Sequence, residues 1–127
     1  MTPIIYVCHP FGGDQNKLDK AEAWAASLSR RFDALFVVPW VPLCRWWPNS
    51  GESLQRGLEL DLAAIDRCDG LIAVGGMMSE NGRREFGRAK KALDMSNIPM
   101  DALFNGERCS AHITGWLSRI VKGMSKP

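Results

Sequence analysis

Asp61-Leu-Ala-Ala-Ile-Asp-Arg-Cys-Asp-Gly-Leu-Ile-Ala-Val-Gly-Gly-Met-Met-Ser-Glu-Asn-Gly-Arg-Arg-Glu85 holds, in order, the end of an amphipathic run, an apolar strand over Gly70–Gly76, a turn over Met77–Gly82 and the opening of a helix. Helix, strand, turn and helix in that succession are one half of a βαβ unit, so the stretch points to a parallel sheet. It also sets two carboxylates, Asp61 and Glu85, and a serine, Ser79, around the end of one strand. Carboxylates paired at such a place suit chemistry on a glycosidic bond or a proton transfer.

The same alternation runs outward in both directions. Ile4–Phe11 reads as a first strand ending in the glycine turn His9-Pro-Phe-Gly-Gly13. Asp14–Phe32 reads as a helix, with Ala21, Trp24, Ala25, Leu28 and Phe32 at helical spacing and Arg30 and Arg31 suited to its C-terminal end. Ala34–Trp40 is a second strand, and Pro42–Gly51 an irregular loop. Ser53 is placed to cap a second helix with Leu54, Leu58, Leu62 and Ile65 in one stripe. On the other side, Asn81–Met95 reads as a third helix, Ile98–Phe104 as a weaker fourth strand interrupted by Pro99 and Asp101, and Glu107–Lys122 as a last helix. The expectation is one α/β domain over residues 1–127, flavodoxin- or Rossmann-like, with a four- to five-stranded parallel sheet and helices on both faces. Ligands of such folds bind beyond the carboxyl ends of the strands, where the strand order switches.

Composition excludes several classes. With 46% apolar residues in 127, the chain can build a core. A net charge of +2 is too small to argue for a nucleic acid polymer or an anionic membrane. The longest apolar stretch, Ala34–Cys44, contains Pro39 and Pro42 and is too short to span a bilayer. No basic segment precedes the first apolar run, so it does not read as a secretory signal. The four cysteines lack CxxC spacing, and with two histidines they make no metal signature. Reduced thiols in the cytoplasm are the plain reading.

Each candidate site residue has a bland reading beside its functional one. Glu85, near a helix start, would be held ionised by the helix dipole, as a nucleophile needs; otherwise it is a solvated partner of Arg84 or Arg88. Ser79 is an N-cap, or a hydroxyl donor to a phosphate or sugar oxygen beside Asn81 and the free amides of the same turn. Asp61 is a half-exposed aspartate, or the group that protonates or orients a leaving group. Asp69 more simply makes a turn bond. Gly12 and Gly13 bring backbone close to a ligand at the rim beside His9. Cys8 and His9 point to opposite faces of their strand and do not make a dyad. Trp46 and Trp47, in the second loop, either stack on a base or form a lid or subunit contact. Trp24 and Trp116 belong to the core.

From Ile4 to Ala111, and most strongly from Asp61 to Ala89, these motifs resemble those of the nucleoside 2-deoxyribosyltransferase-like family, which includes 2'-deoxynucleoside 5'-phosphate N-hydrolases. The resemblance rests on Asp61, Cys68-Asp69, the strand Leu71–Val74, Ser79 and Glu85-Phe-Gly-Arg-Ala89, and on Tyr6-Val-Cys8 followed by Gly12-Gly13. It implies Glu85 as nucleophile at the anomeric carbon and Asp61 as the carboxylate that assists base departure. It further implies Tyr6, Gly12, Gly13 and Ser79 as substrate-binding residues, a dimer in which Ser110 reaches the neighbour's site, and no cofactor; His9, Asn81, Trp46 and Trp47 are substrate-binding candidates by their place at the rim, and the prolines and tryptophans of the second loop have no counterpart in the family. Serine at 79, where transferases of free nucleosides carry aspartate, leans toward a nucleoside 5'-monophosphate, because aspartate repels a phosphate. Asp14 departs from the arginine that follows the glycine pair in the hydrolases; Lys17 or Arg83 would have to compensate. Hydrolysis, deoxyribosyl transfer and a binding module without turnover all fit this pattern.

Overall fold

A computed structural model describes residues 1–47 and 51–124, without the side chains of residues 51–53. Four parallel strands, β1 (Ile4–Cys8), β2 (Leu35–Val37), β3 (Gly70–Ala73) and β4 (Ala92–Asp94), stand in the order β2-β1-β3-β4. Among the described residues six helices accompany them: α1 (Gln15–Arg31), α2 (Trp40–Trp46), α3 (Gly51–Arg67), α4 (Glu80–Arg88), α5 (Met100–Asn105) and α6 (Glu107–Met124). The fold is α/β and Rossmann- or flavodoxin-like, with helices on both faces. Strand alternation divides the core. Ile5, Val7, Ile72 and Val74 pack against Trp24 and Leu28 of α1 and Ile113, Trp116 and Ile120 of α6. Tyr6, Cys8, Leu71 and Ala73 pack on the other face against Trp40, Val41, Ile65 and Phe86. The chain leaves β1 toward β2 and returns past it to β3, so the order switches between β1 and β3, and their carboxyl ends open the crevice described below.

The expected elements differ from the observed ones in four places. Trp40 opens α2 instead of closing a strand, and the expected loop from Pro42 is helical as far as Trp46. Pro42 is the third residue of α2, where its missing N–H would have had no intrahelical partner anyway. Helix α3 begins at Gly51, ahead of Ser53, whose side chain lies outside the described residues, as do residues 48–50. The helix expected to reach Met95 stops at Arg88, because Ala89 turns extended (φ −68°, ψ 141°). Its supposed last turn is β4, whose Ala92 pairs with Leu71. The strand expected over Ile98–Phe104 is instead α5, entered from an extended Pro99 (φ −62°, ψ 151°). Ile98, Met100, Leu103 and Phe104 still reach the core, from a helix. Asp69 is structural, but in place of the expected turn bond it accepts from the distant Ile4 amide at 2.8 Å and ties the start of β3 to β1. Among the described residues no helix is long and apolar enough to cross a membrane.

Helix α2 is anchored by one polar contact inside an apolar cluster. The buried Trp40 indole N–H donates to the Val7 carbonyl at 2.9 Å, fixing α2 against the end of β1. Trp40→Phe keeps most of the apolar area but leaves that carbonyl unpaired, which costs about 1–3 kcal/mol. The expected result is a lower urea midpoint with an unchanged m-value. An unchanged midpoint would show that the bond does not anchor the helix.

Candidate active site

Beyond the ends of β1 and β3 lies a cavity of about 500 Å³. Each wall follows from local sequence. The loop after β1 supplies His9, Phe11 and Gly13; Gly12 and Gly13 take the left-handed conformation (φ 57° and 81°) that lets the chain turn into α1. Helix α2 and its cap Trp47 supply Trp40, Leu43, Cys44, Arg45 and Trp46. The turn before α4 supplies Ser79 and Asn81. Helix α3 presents Leu54, Gly57, Leu58 and Asp61, which share one face at helical spacing. The leucine stripe of α3 therefore divides. Leu62 and Ile65 pack on the sheet, while Leu54 and Leu58 line the cavity on either side of Gly57.

Glu85 and Asp61 share the cavity floor. Glu85 is 8% exposed, and its Oε1 accepts from the Tyr6 hydroxyl at 3.4 Å. The Cys8 thiol, which donates to the Gly82 carbonyl at 3.8 Å, lies against the same carboxyl. Neither expected arginine pairs with Glu85: Arg84 binds Glu80, and Arg88 makes a two-pronged pair with Asp66. Burial pushes the Glu85 carboxyl up to about 7 against the two hydrogen bonds that favour its charge. The helix dipole does not keep it low, because Glu85 is the sixth residue of α4 and the dipole acts mainly within the first turn. Asp61 is pushed further, to about 8, by burial and then by the charge of Glu85. Its Oδ1 is buried with no hydrogen-bond partner among the described residues. Tyr6, fully buried and raised well above its ordinary value by burial and by Glu85, stays protonated and keeps donating.

The cavity gathers most of the expected residues: His9, Gly13, Trp46, Trp47, Asp61, Ser79, Asn81 and Glu85. Tyr6 lies beneath it, as the support of Glu85. Gly12 is next to the wall without being part of it. Ser110 lies elsewhere, in a separate hollow with Arg31 and Phe104. Ser79 caps α4, its Oγ accepting from the Gly82 amide at 3.1 Å, which leaves its own proton free to donate. Asp14 turns away from the cavity and caps α1, accepting from the Asn16 amide at 3.0 Å. The His9 Nδ1 lies 2.7 Å from the Pro10 carbonyl, so that nitrogen carries the proton and Nε2 is an acceptor. Burial lowers the His9 pKa, and Lys17 and Lys20 act in the same sense. Trp46 is 70% exposed at the cavity mouth.

Sequence reasoning missed Phe11, Trp40, Leu43, Cys44 and Gly57 as wall residues, all but Phe11 because α2 was unseen or α3 was read only as a core stripe. It also missed the tether on Arg45, whose guanidinium binds Asp19 at 2.9 Å and Glu22 as well, spending its charge on α1. Among the described residues no cluster could hold a metal ion. No protein-family model matches this sequence, and a search of curated proteins finds no match either.

Two carboxyls shielded from water without a cation, buried Glu85 and half-buried Asp61, carry a stability cost at alkaline pH. Each has a higher pKa folded than its unfolded value of roughly 4, so the folded chain binds the proton more tightly. The resulting stabilisation is complete below about pH 4 and is lost as pH rises through about 7 for Glu85 and about 8 for Asp61. Asp61→Asn and Glu85→Gln remove the titrating groups. Relative to the native chain, each variant should gain at least about 1 kcal/mol between pH 5 and pH 9, measured by urea unfolding. A difference that does not change with pH would contradict the burial of ionisable carboxyls here.

Proposed function

We propose that the protein cleaves the N-glycosidic bond of a nucleoside or nucleotide, most simply a (deoxy)nucleoside 5'-monophosphate, with Glu85 as nucleophile and Asp61 as acid. One observation carries this reading: two cation-free carboxyls line one cavity at the strand ends in unlike surroundings, Glu85 accepting from the Tyr6 hydroxyl and lying against the Cys8 thiol, Asp61 with its Oδ1 unpartnered among the described residues, and burial raises both well above the ordinary carboxyl range. Carboxyls in unlike environments are how one site supplies both a base or nucleophile and an acid. Glu85 ionises first and attacks C1', its carboxylate held by the Tyr6 hydroxyl. The C1'–N bond breaks as the Asp61 proton passes to the departing base, whose nitrogen takes the bonding pair. Asp61, now ionised, draws a proton from water. That water adds to C1', the bond to Glu85 breaks, and both carboxyls return to their starting states. The same intermediate, intercepted by a second base instead of water, would give deoxyribosyl transfer.

The rim supports a polar sugar end. Ser79 has a hydroxyl proton to donate, Asn81 an amide, and His9 an acceptor nitrogen. The one cation in the cavity wall among the described residues, Arg45, is held by Asp19 and Glu22. A phosphate would therefore be met by neutral donors and the first amides of α4.

Incubation with nucleosides and their monophosphates should release free base, and Glu85→Gln should abolish release while leaving the circular dichroism unchanged. The rate should be bell-shaped in pH, with apparent limbs near 7 and 8 that belong to the pair. Base release by the Gln variant at the native rate would refute the mechanism. No release by the native chain from any substrate would favour a binding module.

Ser79→Asp tests the phosphate. Aspartate caps helices as well as serine does, so the change adds charge without undoing α4. Binding of monophosphates, measured by calorimetry, should fall at least tenfold more than binding of the matching nucleosides. Equal losses for both would count against a phosphate at Ser79.

A further inference from the structure

Past the strand ends lies a second hollow, of about 610 Å³. Among the described residues His9 alone lines both this hollow and the catalytic cavity, so its imidazole is the partition between them. The sequence makes room for that ring. A side chain at Gly75, in the loop after β3, would meet the His9 Cδ2 and Nε2 atoms at 2.2 and 2.3 Å, and Gly75 also holds a left-handed φ of 84°. One wall of the hollow is a face of α1, where Lys20, Ala23 and Trp24 fall at helical spacing. The other is the turn from β4 into α5, with Asn97, Ile98 and Met100.

Three hydrogen-bond donors on these walls have nothing to bind among the described residues. Lys20 makes no ion pair there, because its acidic sequence neighbours, Asp19 and Glu22, are both engaged by Arg45. Burial first, and then the charges of Lys17 and Lys20, lower the His9 pKa, so the Lys20 ammonium is close enough to act on the partition. Asn97 is exposed, with an uncommitted side-chain amide. Trp24 is only 5% exposed, and its ring rests on Phe104 with centroids 5.9 Å apart. Its indole N–H has no hydrogen-bond partner among the described residues, although a buried indole N–H ordinarily finds one. That N–H is not sealed either, since Asp61 Oδ1 is the one side-chain oxygen or nitrogen there that is both unpartnered and closed off from solvent. No carboxylate of the described residues lines the hollow. Asp94, the nearest in sequence, accepts from the amide and hydroxyl of Ser96.

We infer that this hollow is a second binding site, for a small organic anion: a carboxylate or phosphate held by Lys20, Asn97 and the Trp24 N–H, on an apolar body that lies against Ala23, Ile98 and Met100. An ammonium beside two neutral donors selects negative charge, and the apolar wall rewards an attached hydrocarbon group. Apart from His9 no residue is shared with the catalytic cavity, so the site is independent of the glycosidase reading. A ligand here touches the same imidazole that lines that cavity.

The test titrates the nitrogen-15-labelled native chain with phenyl phosphate, benzoate, benzyl alcohol and inorganic phosphate, and follows the tryptophan indole N–H resonances. Phenyl phosphate or benzoate should move the Trp24 N–H saturably, and the tighter of the two names the head group. Benzyl alcohol, which lacks the charge, and inorganic phosphate, which lacks the hydrocarbon, should each bind about fivefold or more weakly than the better aryl anion. Lys20→Gln should bring that anion down to the level of benzyl alcohol and leave benzyl alcohol unchanged. Ala23→Leu replaces one good helix former by another at an exposed position; it fills the hollow and should weaken every aryl probe. A Trp24 N–H that no probe moves, aryl anions no tighter than benzyl alcohol or inorganic phosphate, or an affinity that survives Lys20→Gln or Ala23→Leu in a folded protein overturns the site. Movement confined to the Trp46 and Trp47 resonances also overturns it, because the probes would then occupy the catalytic cavity alone.

Discussion

Two carboxyl groups, buried Glu85 and half-buried Asp61, line one cavity at the end of a parallel sheet, and no cation among the described residues neutralises either. A charged pair in such surroundings is costly, and the ordinary escape is to keep a proton. The elements around the cavity serve this constraint. Tyr6, pointing from β1 into the same face as Cys8, offers its hydroxyl to Glu85 and so favours ionisation there. Asp61, carried by the part of α3 that passes beyond the sheet, has no such donor on Oδ1 and holds its proton more strongly. The Cys8 thiol and the Tyr6 hydroxyl both favour the charge of Glu85, whereas the charge of Glu85 itself opposes ionisation of Asp61.

The sheet makes that asymmetry available. Parallel strands in the order β2-β1-β3-β4 leave a crevice where the chain direction across the sheet reverses. Trp40, bonded to the Val7 carbonyl, closes one side of the crevice with α2. Ser79 closes the other by starting α4 at a fixed point, so that Glu85, at the end of the second turn of α4, falls over Tyr6.

Long periodic elements were legible in the sequence, and short ones were not. The spacing of Ala21, Trp24, Ala25 and Leu28 specifies α1, and Ile113, Trp116, Leu117 and Ile120 specify α6. The continuous run Leu71–Val74 could only be a strand buried on both faces. Helix α2 was hidden because Pro39 and Pro42 argue for a loop, although proline is harmless ahead of a helix and in its first turn. Strand β4 was hidden because three residues carry no period, and Ala92, Leu93 and Met95 also fit a helix. At the site, Asp61 and Glu85 stood out by position, but their protonation did not. Burial raises Glu85 despite the helix start that argued for a low value, and only the fold sets the depth of that burial. Gly57 gave no sequence signal beyond being a glycine in a leucine-rich helix.

The proposed chemistry depends on both carboxyls holding their protons well above the ordinary carboxyl range. Carbon-13 labelling of the aspartate and glutamate side chains allows the Asp61 and Glu85 carboxyl resonances to be followed through a pH titration, with Asp61→Asn and Glu85→Gln to assign them. The pair should titrate with apparent values near 7 and 8, and Glu85→Gln should draw the Asp61 value down by removing the neighbouring charge. Two carboxyls that are both fully ionised by pH 5 would contradict it.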